Sequence, residues 1–268
     1  DYALVEIHSG TIGIHDGTAK DATRGNVYGG GCGVDTYTVS NIEYFNPLAG
    51  IVLGNAKVTM DGGALTHNIY GAGALGSVGS PNLTTGGKTT IEIKGGRVGY
   101  DGNDNGNIYG AARGKLGATQ TNIAQARETE VTVKYATSPD GDDTDKTTAL
   151  VAGSVFGGGE SGTVRENVVV NIEKGLILHD VYGGGALADT QTSNQDGTNN
   201  SSTYTTQVNL KGGTVKRDIY GGGLGQLADT EAVPAVTAVE AKVYGDVTVE
   251  TTGGKAARVF GCNNLNGA

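Results

Sequence analysis

Tryptophan is absent from this 268-residue chain, and methionine (one), cysteine (two), phenylalanine (three) and proline (four) are scarce. So few prolines, and no glycine at every third position, exclude collagen even though the 48 glycines are about two and a half times the usual share of roughly 7%. No apolar run approaches the roughly 18 residues that a membrane helix requires, so no membrane insertion of this segment is expected. Basic side chains are the minority charge. Nineteen Lys+Arg against 28 Asp+Glu leave a formal charge of −9, a sign that repels phosphate backbones and anionic lipid and argues against nucleic acid as a partner. Cys32 and Cys262 form no CxxC or CxxxC pair, so zinc is not indicated. What the chain does contain is 37% hydrophobic residues, many of them Val and Ile in short alternating runs. That pattern belongs to a folded, mostly β protein rather than to a disordered one.

One phrase recurs seven times: Asn26-Val27-Tyr28-Gly29, Asn68-Ile69-Tyr70-Gly71, Asn107-Ile108-Tyr109-Gly110, Ser154-Val155-Phe156-Gly157, Asp180-Val181-Tyr182-Gly183, Asp218-Ile219-Tyr220-Gly221 and Arg258-Val259-Phe260-Gly261. A second phrase lies upstream, two alternating apolar residues and a glycine turn, as in Val58-Thr59-Met60-Asp61-Gly62-Gly63 and Ile91-Glu92-Ile93-Lys94-Gly95-Gly96. Leu65, Val98, Ile177 and Val215 follow the turn. Each unit therefore reads as a strand, a Gly corner, a shorter strand, a polar corner and a third strand carrying the Val/Ile–aromatic pair.

Phe156 and Tyr182 are 26 residues apart, about one turn of a parallel β-helix in which short strands wind into a coil and coils stack. One coil cannot bury its own apolar face, whereas a stack makes a continuous interior. The fold expected is all-β: a single-stranded parallel β-helix of about seven coils, right-handed as parallel connections usually are, spanning 1–268 as one domain. The remaining spacings are lengthened by insertions at about 34–56, 74–89, 100–106, 113–129, 136–153, 186–206 and 224–245. All four prolines fall inside these segments, where no ladder hydrogen bond is lost. Most insertions leave from one corner, so they should gather along one side of the rod, the side expected to carry function. Cys32 and Cys262 would lie in the first and last coils, too far apart to bridge at about 4.8 Å per step.

Stacking turns each repeat position into a column. Two residues before the aromatic the column reads Asn26, Asn68, Asn107, Ser154, Asp180, Asp218, Arg258. These side chains can bond along the axis and satisfy corner backbone, with Asp218 and Arg258 as an ionic continuation. The Val/Ile column faces inward, so alternation points the aromatics out of the shared interior. Such rings either pack under adjoining loops or offer a ligand platform, and Tyr70, Tyr109, Tyr182 and Tyr220 are the candidate binding residues.

Motifs for chemistry are weak. Asp101, Asn103 and Asn105 match the first half of a calcium loop, but its twelfth position is Ala112 rather than Glu. Asp140 and Asp142 sit in an acidic run that reads equally as a solvated loop. A polar turn is the first reading of both, and calcium the second; no other cofactor is indicated. His67 and His179 share one repeat position, three before the aromatic, which Arg217 and Gly25 fill elsewhere, and a solvent-facing corner is expected there. Asp189 and Asp229 each stand in Leu-Ala-Asp-Thr, a repetition that favours a structural turn.

The phrase VxIxGGxV…NVYGGG and the closing Arg258-Val259-Phe260-Gly261-Cys262-Asn263-Asn264-Leu265-Asn266-Gly267 resemble repeats in large surface-exposed proteins of Bacteroidetes bacteria. The resemblance covers nearly the whole chain outside the insertions, with Ala72, Ala111 and Ala112 departing from its glycines. It implies an exported, cell-surface or secreted β-helix of adhesin type and supplies no catalytic residues. The function expected is a non-catalytic adhesive or structural module, binding a glycan or a host or neighbouring-cell protein through its loop-bearing side. The alternative is a carbohydrate-active β-helix, a polysaccharide lyase or hydrolase or a tailspike-like depolymerase, which would need acidic or basic residues converging in a groove. The last unit stops just after its aromatic phrase, so further repeats or an end-to-end contact are expected at that edge.

Overall fold

Alternation of apolar and polar residues governs the longest strands. Tyr2–Ile7, Asn55–Met60, Lys88–Ile93, Glu128–Val133, Val168–Ile172, Thr205–Leu210 and Asp246–Thr251 form one seven-stranded parallel sheet, each strand paired only with its counterparts in the preceding and following repeats. A computed structural model describes residues 2–13, 24–82, 84–99, 105–134, 149–195 and 203–265. Among these the chain is all-β apart from one short 3-10 turn at Thr192–Asn194.

A glycine corner after most of the long strands leads to a strand of two residues. Thr11–Ile12, Ala64–Leu65, Arg97–Val98, Leu150–Val151, Leu176–Ile177 and Thr214–Val215 make a six-stranded parallel sheet. In this corner the second glycine adopts positive φ (Gly63 78°, Gly96 80°, Gly213 73°), a conformation costly to any residue with a Cβ. The ring-bearing strands Val27–Tyr28, Ile69–Tyr70, Ile108–Tyr109, Val155–Phe156, Val181–Tyr182, Asp218–Tyr220 and Arg258–Phe260 complete a second seven-stranded parallel sheet. Strands of the three sheets take turns along the chain, an arrangement consistent with a parallel β-helix or solenoid.

Register is kept throughout. Val27, Ile69, Ile108, Val155, Val181, Ile219 and Val259 are paired one to the next. With the files Val58–Ile91–Val131–Val170–Val208 and Leu65–Val98–Val151–Ile177–Val215 all of them but Val259 form one continuous apolar core. Most of these side chains have no exposed surface at all. Burial of each contributes roughly 1.5–3 kcal/mol, so small aliphatics repeated through the stack suffice without tryptophan. In the last strands the same files open outward: Val259 is 47% and Phe260 39% exposed.

The glycine after each ring has its own cause. A Cβ on Gly110 would lie 2.0 Å from the Gly157 carbonyl oxygen of the next repeat and 3.1 Å from the Cβ of Thr129. Here the backbone presses against the start of the long strands. Thr89 Oγ1 donates to the Gly110 carbonyl at 2.6 Å, and Thr129 Oγ1 to that of Gly157 at 2.7 Å. This contact forms a waist, and beyond it lies a second, smaller interior.

That second interior corrects the reading of the insertions as plain loops. Parts of them stack in their own ladder: Val52 bridges Val78, the Val78 amide donates to the Gln125 carbonyl, and Gln125–Ala126 pairs in parallel with Thr163–Val164. The Val164 amide then donates to the Asp189 carbonyl, and Thr190 bridges Val243. Ala72, Ala112 and Ala124 pack with Val78, and Ala111 and Ala126 with Val164 and Val168. The alanines that stand in place of glycine thus supply the small apolar surface this narrow space accepts. Boundaries shift accordingly: Glu128–Val133 begins inside the segment expected at 113–129, and Leu150–Val151 inside that expected at 136–153. The insertion at 34–56 also holds an antiparallel hairpin, Tyr37–Val39 with Ile42–Tyr44, turned through Ser40 and Asn41 at positive φ.

Candidate functional site

Outside the core, the rings form a column of their own. Tyr28, Tyr70, Tyr109, Phe156, Tyr182, Tyr220 and Phe260 stack face to face at centroid spacings of 4.7–5.1 Å. The strand spacing in a parallel sheet sets this distance, and stacked rings suit it. Tyr70, Tyr109, Tyr182 and Tyr220, the four tyrosines singled out from the sequence, are brought together here and are all buried. Both faces of each are covered by neighbouring rings, so a sugar cannot lie flat on them. What the column presents outward is its hydroxyl edge.

Two further columns flank that edge. On one side is the Asn/Ser/Asp column, and its side chains bond to the next repeat's backbone rather than to one another. Asn26 accepts from the Asn68 amide, Asn68 from Asn107, Asn107 from Ser154, Ser154 from Asp180 and Asp180 from Asp218, at 2.7–3.3 Å. Arg258 closes the series with a two-pronged bond to Asp218 at 3.0 and 2.7 Å. The guanidinium holds the Asp218 carboxyl below its ordinary range.

On the other side stand the residues four after each ring: Cys32, Ala74, Arg113, Glu160, Ala186, Leu224 and Asn264. Their backbones stack through bonds such as Ser161 amide to Arg113 carbonyl and Leu187 amide to Glu160 carbonyl. From Arg113 onward these residues stand at the ring two repeats earlier. Arg113 bonds the Tyr28 hydroxyl. Tyr70 donates to Glu160 Oε2 at 2.5 Å, and Asn264 donates to the Tyr182 hydroxyl at 2.8 Å. Phe156, with no hydroxyl, has apolar Leu224 in that place. Burial raises the Tyr70, Tyr109 and Tyr182 phenols well above the ordinary tyrosine range, so the row is neutral at any physiological pH.

The counterpart of Tyr109 is Ala186, whose methyl group forms no hydrogen bond; the Tyr109 hydroxyl bonds Asn107 instead. Beside it the structure holds a hollow of about 420 Å³ whose lining mixes polar Asn107, Ser154 and Glu160 with Tyr109, Leu187 and Leu224. Sequence reasoning missed Glu160, Ala186 and Leu224. Their fixed offset from the ring was visible, but the two-repeat reach depends on how the turn leans.

The other expectations resolve individually. Asn105 is half-buried just ahead of Asn107, while Asp101, Asn103, Asp140 and Asp142 lie outside the described residues. Among the described residues no group of three His, Cys, Asp or Glu side chains is arranged to hold a metal ion. His67 corrects the solvent-facing expectation: it is 7% exposed, with Nδ1 3.1 Å from Thr66 Oγ1. It packs there because the preceding repeat offers only Gly25, where a Cβ would lie 3.0 Å from that nitrogen. His179 is half-buried. Asp189 accepts from the Lys242 amide at 2.8 Å and so ties one insertion to another, while Asp229 accepts from the Glu231 and Ala232 amides within its own turn. Cys32 and Cys262 are free and exposed. Asp35, absent from the sequence reading, is 5% exposed and staples two insertions by accepting from Lys115 Nζ and the Thr119 and Gln120 amides at 3.0–3.1 Å. No helix among the described residues is long and apolar enough to cross a membrane. No protein-family model, curated protein or solved structure matches the chain.

Proposed function

We propose that this chain is a non-catalytic module of a bacterial surface or secreted protein, a right-handed parallel β-helix that serves adhesion or spacing and holds glycan or protein through its loop-bearing side. The observation that supports this reading is the use made of carboxylates along the shaft. Glu160 holds Tyr70, Asp218 holds Arg258, Asp189 holds the Lys242 amide and Asp35 holds Lys115, each joining different repeats. Glycoside hydrolysis asks instead for two carboxyl groups facing one bond across about 5–9.5 Å. The resemblance to surface-protein repeats points the same way and suggests an extracellular setting. The reading needs no cofactor.

The test is to expose the full chain to immobilised polysaccharides and to bacterial and host cell surfaces while assaying the same polymers for new reducing or unsaturated ends. Retention on at least one surface without cleavage is expected. Cleavage of any polymer would overturn the non-catalytic reading in favour of a polysaccharide-active enzyme.

A further inference from the structure

We infer that the hollow beside Tyr109 is a saccharide site that takes one terminal, non-acidic sugar residue. This rests on the adhesive reading above and names its ligand class. The hollow is not a packing defect common to all repeats. In the neighbouring ones the equivalent space is filled, by Glu160 against Tyr70 and by Asn264 against Tyr182. Three residues at this place are small or lack a polar tip: Ala186, where the other four residues with a ring two repeats before them are Arg113, Glu160, Leu224 and Asn264; Ser154, where the others are Asn, Asp or Arg; and Phe156, where most are Tyr. Its volume of about 420 Å³ lies in the range of small-molecule sites.

The lining decides the chemistry. Polar Asn107, Ser154, Glu160 and Tyr109 share the lining with apolar Phe156, Ala186, Leu187 and Leu224, with exposed Leu227 and Leu265 at its rim. An all-apolar guest would strip water from the polar groups and return no hydrogen bond. An acidic sugar or phosphate would meet the Glu160 carboxylate in a half-buried setting. A bare metal ion would find a single carboxylate. A pyranose carries both kinds of surface, hydroxyls for the carboxylate, amide and serine oxygen and C–H groups for the leucines. Gln226 and Leu227 belong to the 224–245 insertion and Leu187 to that at 186–206, so two insertions contribute to its lining.

The experiment is saturation-transfer NMR on the full chain with the methyl glycosides of neutral hexoses and N-acetylhexosamines, and with methyl glucuronide as the acidic arm. At least one non-acidic glycoside should take up saturation, and the glucuronide should not. Ala186→Asn places an amide beside Tyr109, as Asn264 does for Tyr182. It should weaken binding at least about tenfold while the thermal midpoint holds or rises. Ser154→Asn enlarges another lining residue and should give the same loss, which keeps the test open if one variant fails to fold. No binding by any non-acidic glycoside, or unchanged binding in a folded Ala186→Asn or Ser154→Asn chain, overturns the inference. Retention on polysaccharide or cell surfaces that these variants leave untouched would sink the hollow and spare the adhesive reading. Glycoside binding at the hollow by a chain that adheres to no surface would do the reverse.

Discussion

The Tyr70 hydroxyl donates to Glu160 across 90 positions of sequence and two repeats of the stack, which makes the side of the shaft a set of overlapping clasps rather than a pile of independent turns. Tyr70→Phe should cost about 1–3 kcal/mol, because it leaves a half-buried carboxylate without its donor. Tyr70→Phe combined with Glu160→Leu reproduces the Phe156–Leu224 arrangement and should recover most of that loss. Urea unfolding of both single variants and the double variant checks this; a double variant no better than the sum of the singles would contradict the clasp.

Glycine at the waist allows a test within one column. Gly110→Ala brings a methyl into the Gly157 carbonyl and should cost at least about 3 kcal/mol or prevent folding. Gly261 stands at the same repeat position, yet an added Cβ there meets nothing within 4 Å. Gly261→Ala should therefore stay within about 0.5 kcal/mol of the parent. Equal unfolding midpoints for the two variants would show that the repeats are not packed backbone to backbone.

Much of this was legible in the sequence because stacking makes each position answer to the same neighbours. Val27, Ile69 and Val155 announced their file through β-branching at a fixed place, and the column from Asn26 to Arg258 announced its bonds through residue type. The second interior was not legible. Only one or two residues per repeat form its ladder, and they stand at unequal distances from the next long strand: Val78 ten before Lys88, Ala126 two before Glu128. The hollow escaped for a related reason. Ala186 is unremarkable until it is known that the residue four after a ring meets a ring two repeats back.

Asp35 gives a local pH prediction. Lys115 and the Gln120 amide hold its carboxyl below the ordinary 3.8, so the charged form favours the folded staple. Its contribution is complete above that value and is lost as pH falls through the lowered one. Protection of the Thr119 and Gln120 amides, their exchange measured against the intrinsic rate at each pH, should be high at neutral pH, fall as pH drops through the lowered pKa and be low at every pH in Asp35→Ala. Exchange rates unaffected by the substitution would remove the staple.

Glu92 titrates in the same sense on the outer face of the long sheet. Lys134 at 2.9 Å, with Lys57 at 3.1 Å, pulls its carboxyl from 4.5 down to about 2. The stabilisation is present above pH 4.5 and fades between there and about 2. Glu92→Gln should lower stability at neutral pH by about 1 kcal/mol and flatten the acid limb of the urea midpoint against pH. An acid limb of unchanged slope would contradict a stabilising role for the Glu92 ion pairs.

The measurement closest to the core of this account is methyl NOE spectroscopy on a chain labelled at Val and Ile. Contacts should run in one unbroken series, Val27 to Ile69, Ile108, Val155, Val181, Ile219 and Val259, each methyl seeing the file members one repeat before and after it. A Val155 methyl that saw neither Ile108 nor Val181 would show that like residues do not lie over one another, and the clasps, the waist and the hollow would go with that file.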